Sequence, residues 1–237
     1  MNTSYRAQRA LIWWSISFVV IFGLAWGFLI RLLPLPSPNL PAAEVARFYM
    51  DNASSIRLGA TICSWVSAFP IPLAMVIAVQ MRSAVGPADF WPTLQLVGGA
   101  TMSIFLVLPP LFWGVAAFHP DRAADTTALI HDLANLTLVT TDQYFIFQMI
   151  PITIVALAAR PDPLFAFPRW YGYFNIWIAF MFELGAFGFM FKSGPFAWNG
   201  LFVFWSPLSL FGVWISVTAW TLLRAISRQE AASCTRH

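Results

Sequence analysis

The feature that most constrains this chain is residues 11–30, twenty positions without a single Asp, Glu, Lys or Arg. Built as a helix, such a run is about 30 Å long, the thickness of a bilayer's hydrocarbon core. Five more apolar runs follow it, and the spans read as about 11–33, 56–79, 91–117, 136–158, 170–191 and 201–223. Hydrocarbon offers the backbone no hydrogen-bond partners, so runs of this length must be helices that satisfy themselves internally. The expected fold is therefore all-α: one polytopic membrane helix bundle over residues 1–237, with about six transmembrane helices. Pro70, Pro72, Pro109, Pro110, Pro151 and Pro207 fall inside these spans and predict kinks.

Composition agrees with lipid as the solvent. Charged residues make up 10% of the chain and hydrophobic ones 59%. A soluble globular chain carries about a quarter charged residues. The 13 Lys and Arg are scattered, with no cluster of the kind that tracks nucleic-acid phosphates. No phosphate-cradling loop is present, so no nucleotide cofactor is expected. Cys63 lies in an apolar run and Cys234 in the polar tail, which predicts no disulfide. The cysteines and histidines lack metal-ligand spacing, and His131, in a polar connection beside Asp132, is expected to be solvated.

The connections are short. The first carries Pro34, Pro36, Pro38 and Pro41 and then a short helix over residues 42–50, and residues 118–135 form a polar link. With the N-terminus inside, eight Lys or Arg fall on the inner side and five on the outer. That bias predicts both termini in the cytoplasm. The expected location is the cell inner (plasma) membrane.

Two carboxylates fall inside predicted spans, Asp142 and Glu183. A charge at that depth costs about 2.5–3.5 kcal/mol on insertion scales, so it marks a functional position by default. Asp142 lies about six residues, or roughly 9 Å, from the outer face, and Glu183 roughly 13 Å below it. The two can converge. Arg57 and Lys192 are the candidate cations. Gln143 and Gln148 on the fourth span, and Asn175, eight residues before Glu183 and on the same face of the fifth, extend the polar set. Gly185 and Gly188 permit close helix approach there, as does the Gly23–Gly27 pair in the first span.

Three readings of this set stand open. Asp142 and Glu183 are an acid–base pair acting on a lipophilic substrate, proton or cation sites of a transporter, or packing devices such as a Glu183–Arg57 ion pair. A polar pocket opening to the outer leaflet, walled by Arg57, Asp142, Gln143, Glu183 and Lys192, is expected to take a small lipophilic ligand. Beyond the bilayer and that ligand, the partners expected are a second copy of the chain or a membrane complex.

The segments Phe-Pro-Arg-Trp-Tyr-Gly-Tyr-Phe at 167–174 and Phe-Lys-Ser-Gly-Pro-Phe-Ala-Trp-Asn-Gly at 191–200 resemble stretches of uncharacterised multi-pass bacterial membrane proteins. The first resembles the turn that opens a late helix in the DUF4386-type group. The resemblance covers about twenty residues and implies a six- or seven-helix membrane protein, without a reaction or site residues. In size and hydropathy the chain is also similar to small integral-membrane terpene cyclases, which protonate an olefin or epoxide with acidic residues. No motif of that family aligns here, so the similarity is one of class.

Overall fold

A computed structural model describes residues 5–160 and 162–234. Among them every regular element is helical: α1 (Tyr5–Leu24), α2 (Ala42–Val66), α3 (Pro70–Val85), α4 (Trp91–Phe118), α5 (Ala124–Thr140), α6 (Ile146–Ala158), α7 (Arg169–Glu183) and α8 (Ser206–Cys234). Shorter helical turns join or extend them, so that six continuous segments are long and apolar enough to cross a membrane. Their outer surface carries large apolar side chains, with Trp65 73% and Phe28 72% exposed. Water does not tolerate so much contiguous apolar surface. The chain is a multi-pass, all-helical protein of membrane-spanning type.

Six crossings return the chain to the end where it began. Arg9 of α1 pairs with Glu230 of α8 at 2.8 Å. Beside them Gln80 of α3 donates to Gln8 at 2.8 Å, and Gln229 of α8 donates to Gln80 at 2.8 Å and to the Leu164 carbonyl at 2.9 Å. At the opposite end, the loop after α1 meets the loop after α7: Asn39 donates to the Lys192 carbonyl at 2.9 Å and Trp198 to that of Pro36 at 2.8 Å.

Two expectations are corrected. The short helix expected at residues 42–50 is the first part of α2, which runs unbroken to Val66. Pro70 and Pro72 do not kink the interior of a helix; Pro70 is the first residue of α3. A proline at that position lacks only an N–H that would have no partner anyway, while its ring closes off further growth of α2.

The α2–α3 break is stitched by a neighbouring helix. Ser15 of α1 donates its hydroxyl to the Phe69 carbonyl at 2.7 Å and accepts the Leu73 N–H at 2.9 Å. One side chain thus answers two backbone groups that the break leaves open, where no water is at hand. Ser15→Ala is expected to destabilise the bundle by about 1–3 kcal/mol, the cost of leaving such groups unpaired. Ser17→Ala, which removes only a bond to the Trp14 carbonyl on its own helix, should cost far less. Unfolding in a graded denaturing detergent measures both; equal losses would remove the stitch from the account of the fold.

Candidate functional site

The span holding Asp142 is broken where sequence spacing alone suggests continuity. Thr140 and Thr141 turn their hydroxyls back to the carbonyls of Leu136 and Thr137, each at 2.7 Å, an arrangement that bends helices. After them Asp142–Phe145 forms a 3-10 turn that leads into α6. Asp142 therefore stands at the start of a half-helix.

Neither carboxyl oxygen of Asp142 has a hydrogen-bond partner, and both are buried. The carboxyl lies against Gly185, in the 3-10 turn Leu184–Phe189 that extends α7. A Cβ at Gly185 would collide with Asp142 Oδ1 and the Val139 carbonyl. This is why glycine stands there.

On its other side Asp142 faces a cavity of about 240 Å³. Three irregular turns meet around it. The first is the π-helical turn Ala25–Ile30, which carries Trp26 and ends at Arg31, held at φ 63° with its N–H on the Trp26 carbonyl. The second is the 3-10 turn of Asp142, and the third the π-helical turn Leu201–Trp205, which carries Val203 and Phe204 and leads into Pro207. Such widened turns concentrate at functional sites. Aromatic rings of Phe18, Phe22, Trp26, Phe145, Phe182 and Phe211 line much of the wall, and Asp142 is its one ionisable group. Gly23 and Gly212 also face it, and a Cβ on either would meet nothing within 4 Å. Gly23 thus fronts open space; the close approach near this part of α1 is made by Gly59 of α2, where a Cβ would come within 2.7 Å of Ile30.

Trp26 is 4% exposed, and its indole Nε1 is also without a partner. Its ring is set by stacking on Trp113 of α4 at 5.8 Å and by edge contact with Phe204 at 5.8 Å. Trp113 is held in turn: it donates to Asn135 Oδ1 at 3.1 Å, Asn135 Nδ2 meets His131 Nε2 at 2.8 Å, and His131 Nδ1 meets Tyr49 Oη at 2.9 Å. An indole N–H only donates, so the Asn135 oxygen faces Trp113 and its amide nitrogen donates to Nε2. His131 is then the Nδ1–H tautomer, donating to Tyr49. The expectation of a solvated His131 is corrected: it lies on α5 and is 2% exposed. Its spacing of four from Asn135, which puts the two side chains on one helix face, is the signal that could have found the pair.

The other predicted residues are dispersed. Glu183 is half-buried and does not line the cavity; its neighbour Phe182 does. Gln143 is half-buried beside Asp142. Gln148 is buried against Gly99 and faces a separate small recess with Ser15 and Trp214. Asn175 is fully buried with its amide committed, accepting from Trp214 Nε1 at 2.9 Å and donating to the Tyr171 carbonyl at 2.7 Å. Arg57 is exposed, bonded to Ser54 at 3.4 Å, and lines a shallow groove between α2 and α4. Lys192 is exposed, its charge felt by Asp132. Among the described residues no cation pairs with Asp142 or Glu183.

This geometry makes Gly185 a support for Asp142. Gly185→Ala is expected to displace the Asp142 carboxyl and cost about 1–3 kcal/mol, the usual penalty of overpacking. Combining it with Asp142→Ala should recover only part of that loss, because the carboxyl oxygen is gone while the Val139 carbonyl remains. Additive losses in the detergent unfolding assay would show that the two residues do not touch.

No family model, curated protein or solved structure matches the chain.

Proposed function

We propose that this protein binds a small, largely apolar molecule inside the membrane, in the cavity beside Asp142. The observation that carries the reading is the wall itself: aromatic and aliphatic on nearly every side, with Asp142 as its one ionisable residue. Binding sites for small molecules combine such apolar walls with a few fixed polar groups. A cavity of about 150 Å³ holds benzene, so 240 Å³ suits a molecule of about ten heavy atoms by the same scale.

Val19, 38% exposed, and the partly exposed Gly23 and Gly212 lie on α1 and α8 at the cavity's edge. A ligand dissolved in lipid enters between those two helices. With both termini in the cytoplasm, as the Lys and Arg bias favours, the cavity belongs to the outer half of the inner (plasma) membrane. Asp142 is then an intramembrane carboxyl group, and its cost is repaid by function rather than by an ion pair.

A second reading makes Asp142 a proton donor to the bound molecule, with Glu183 as the group that exchanges protons with it. The aromatic wall favours this reading, since ring faces stabilise positive charge developing on a substrate.

Purification in mild detergent followed by native mass spectrometry tests both. Wild type is expected to retain a small molecule that Gly212→Leu excludes by filling the cavity. That variant should fold at least as well, since replacing a helical glycine gains up to about 1 kcal/mol. Equal occupancy in the two proteins, or none in either, would sink the binding reading. If Asp142 also does chemistry, Asp142→Asn should retain a different, unconverted molecule; an identical one would remove the enzymatic reading. Loss of substrate-dependent proton movement in vesicles of Asp142→Asn would favour transport instead.

A further inference from the structure

The groove between α2 and α4 is open along its length and charged at one end only. Arg57, Thr61 and Ser64 line it from α2, and Leu111, Val115 and Phe118 from α4. Spacings of four and three keep the α2 residues on one helix face. The two helices belong to consecutive, antiparallel spans. They meet at Ala60 and Gly114, where a Cβ on the glycine would lie 3.1 Å from that of the alanine. This contact sets the register. Arg57 falls beside Phe118, the last residue of α4, and Ser64 lies beside Leu111, seven residues or roughly 10 Å deeper. The groove holds about 500 Å³ and shares no lining residue with the cavity beside Asp142.

The charged end has a second arginine nearby. Arg122, four residues beyond Phe118, donates to the Val115 carbonyl at 3.3 Å. Arg57 donates only to Ser54, at 3.4 Å. A guanidinium carries five N–H donors, so each arginine keeps most of its capacity. Among the described residues neither is in an ion pair, and Asp121, next to Arg122 in the chain, is exposed. Below them the walls turn apolar, with Trp65 73% and Leu111 45% exposed.

From this division of charge and apolar surface we infer that the groove binds an anionic phospholipid. Its phosphate sits at Arg57, its negative charge is favoured by Arg122, and one acyl chain lies along the groove past Trp65 and Leu111. Basic pockets between membrane helices take anionic headgroups in this way, and a guanidinium matches phosphate oxygens with paired N–H groups. A zwitterionic lipid fills the groove equally but gains less from two unpaired positive charges. A second copy of the chain, related by a two-fold axis along the membrane normal, holds its own Arg57 at the same depth. Packed on this face it sets like charges against each other.

Native mass spectrometry of the full chain in mild detergent tests the inference, with dioleoyl phosphatidylglycerol and dioleoyl phosphatidylcholine as probes. The two share their acyl chains and differ in net charge. Wild type is expected to bind the first roughly tenfold more tightly, the effect of one to two arginines at a lipid surface. Arg57→Gln should reduce that preference to about twofold. Arg47→Gln removes an exposed charge from α2 outside the groove and should leave the preference unchanged. Should Arg57→Gln fail to fold, Arg122→Gln carries the same expectation of a several-fold loss. Equal binding of the two lipids by wild type would overturn the inference, as would equal losses in Arg57→Gln and Arg47→Gln. A lipid-free dimer that Arg57→Gln strengthens would overturn it in favour of a second copy on this face. Gly212→Leu, which fills the other cavity, should not alter the preference, so either site can fail without the other.

Discussion

Every interruption of a helix in this bundle has to find its hydrogen bonds inside the protein. Lipid supplies none, and an unpaired backbone group in hydrocarbon costs several kcal/mol. The α2–α3 break is possible because Ser15 reaches across from α1 with one hydroxyl that donates and accepts. The end of the first span is possible because Arg31 turns into the left-handed region and returns its N–H to the Trp26 carbonyl. Irregular backbone therefore occurs where a neighbour is placed to satisfy it, and the neighbours' positions decide where the bundle bends.

The same constraint concentrates irregularity around one cavity. Widened or tightened turns displace side chains from the register of a regular helix. Here they bring Trp26, Asp142 and Phe204 to a common space that straight helices would have packed shut. Gly185 is the counterpart on the far side of Asp142, giving the carboxyl room without giving it a partner. The site is thus a place where local satisfaction is incomplete in a protein that satisfies most of its buried polar groups. Such departures from internal consistency gather at functional positions.

Buried amides serve architecture elsewhere. Asn135 and Asn175 each accept from a tryptophan indole on a neighbouring helix, Trp113 in one case and Trp214 in the other. These pairs fix large rings in single orientations, and through Trp113 one of them reaches the cavity wall. Asn175 shares its face with Glu183 in the sequence, which made it a candidate for binding. The fold instead spends both ends of its amide on Trp214 and the Tyr171 carbonyl.

The apolar runs by themselves determined six helical crossings, because a chain with so few charges has no other way to satisfy its backbone in lipid. They also marked Asp142 and Glu183 as unusual, since charge within such runs is costly wherever it points. Which residues share a space was decided only by the tertiary structure. Arg57 and Lys192 sit at depths that suit Asp142, yet one faces the α2–α4 groove and the other the charge of Asp132. Trp26 carries no mark among twelve tryptophans until the π-helical turn brings it to the cavity beside Asp142. Depth along a helix follows from counting residues, but direction around its axis depends on each bend before it. Here those bends are set by contacts between helices distant in the sequence.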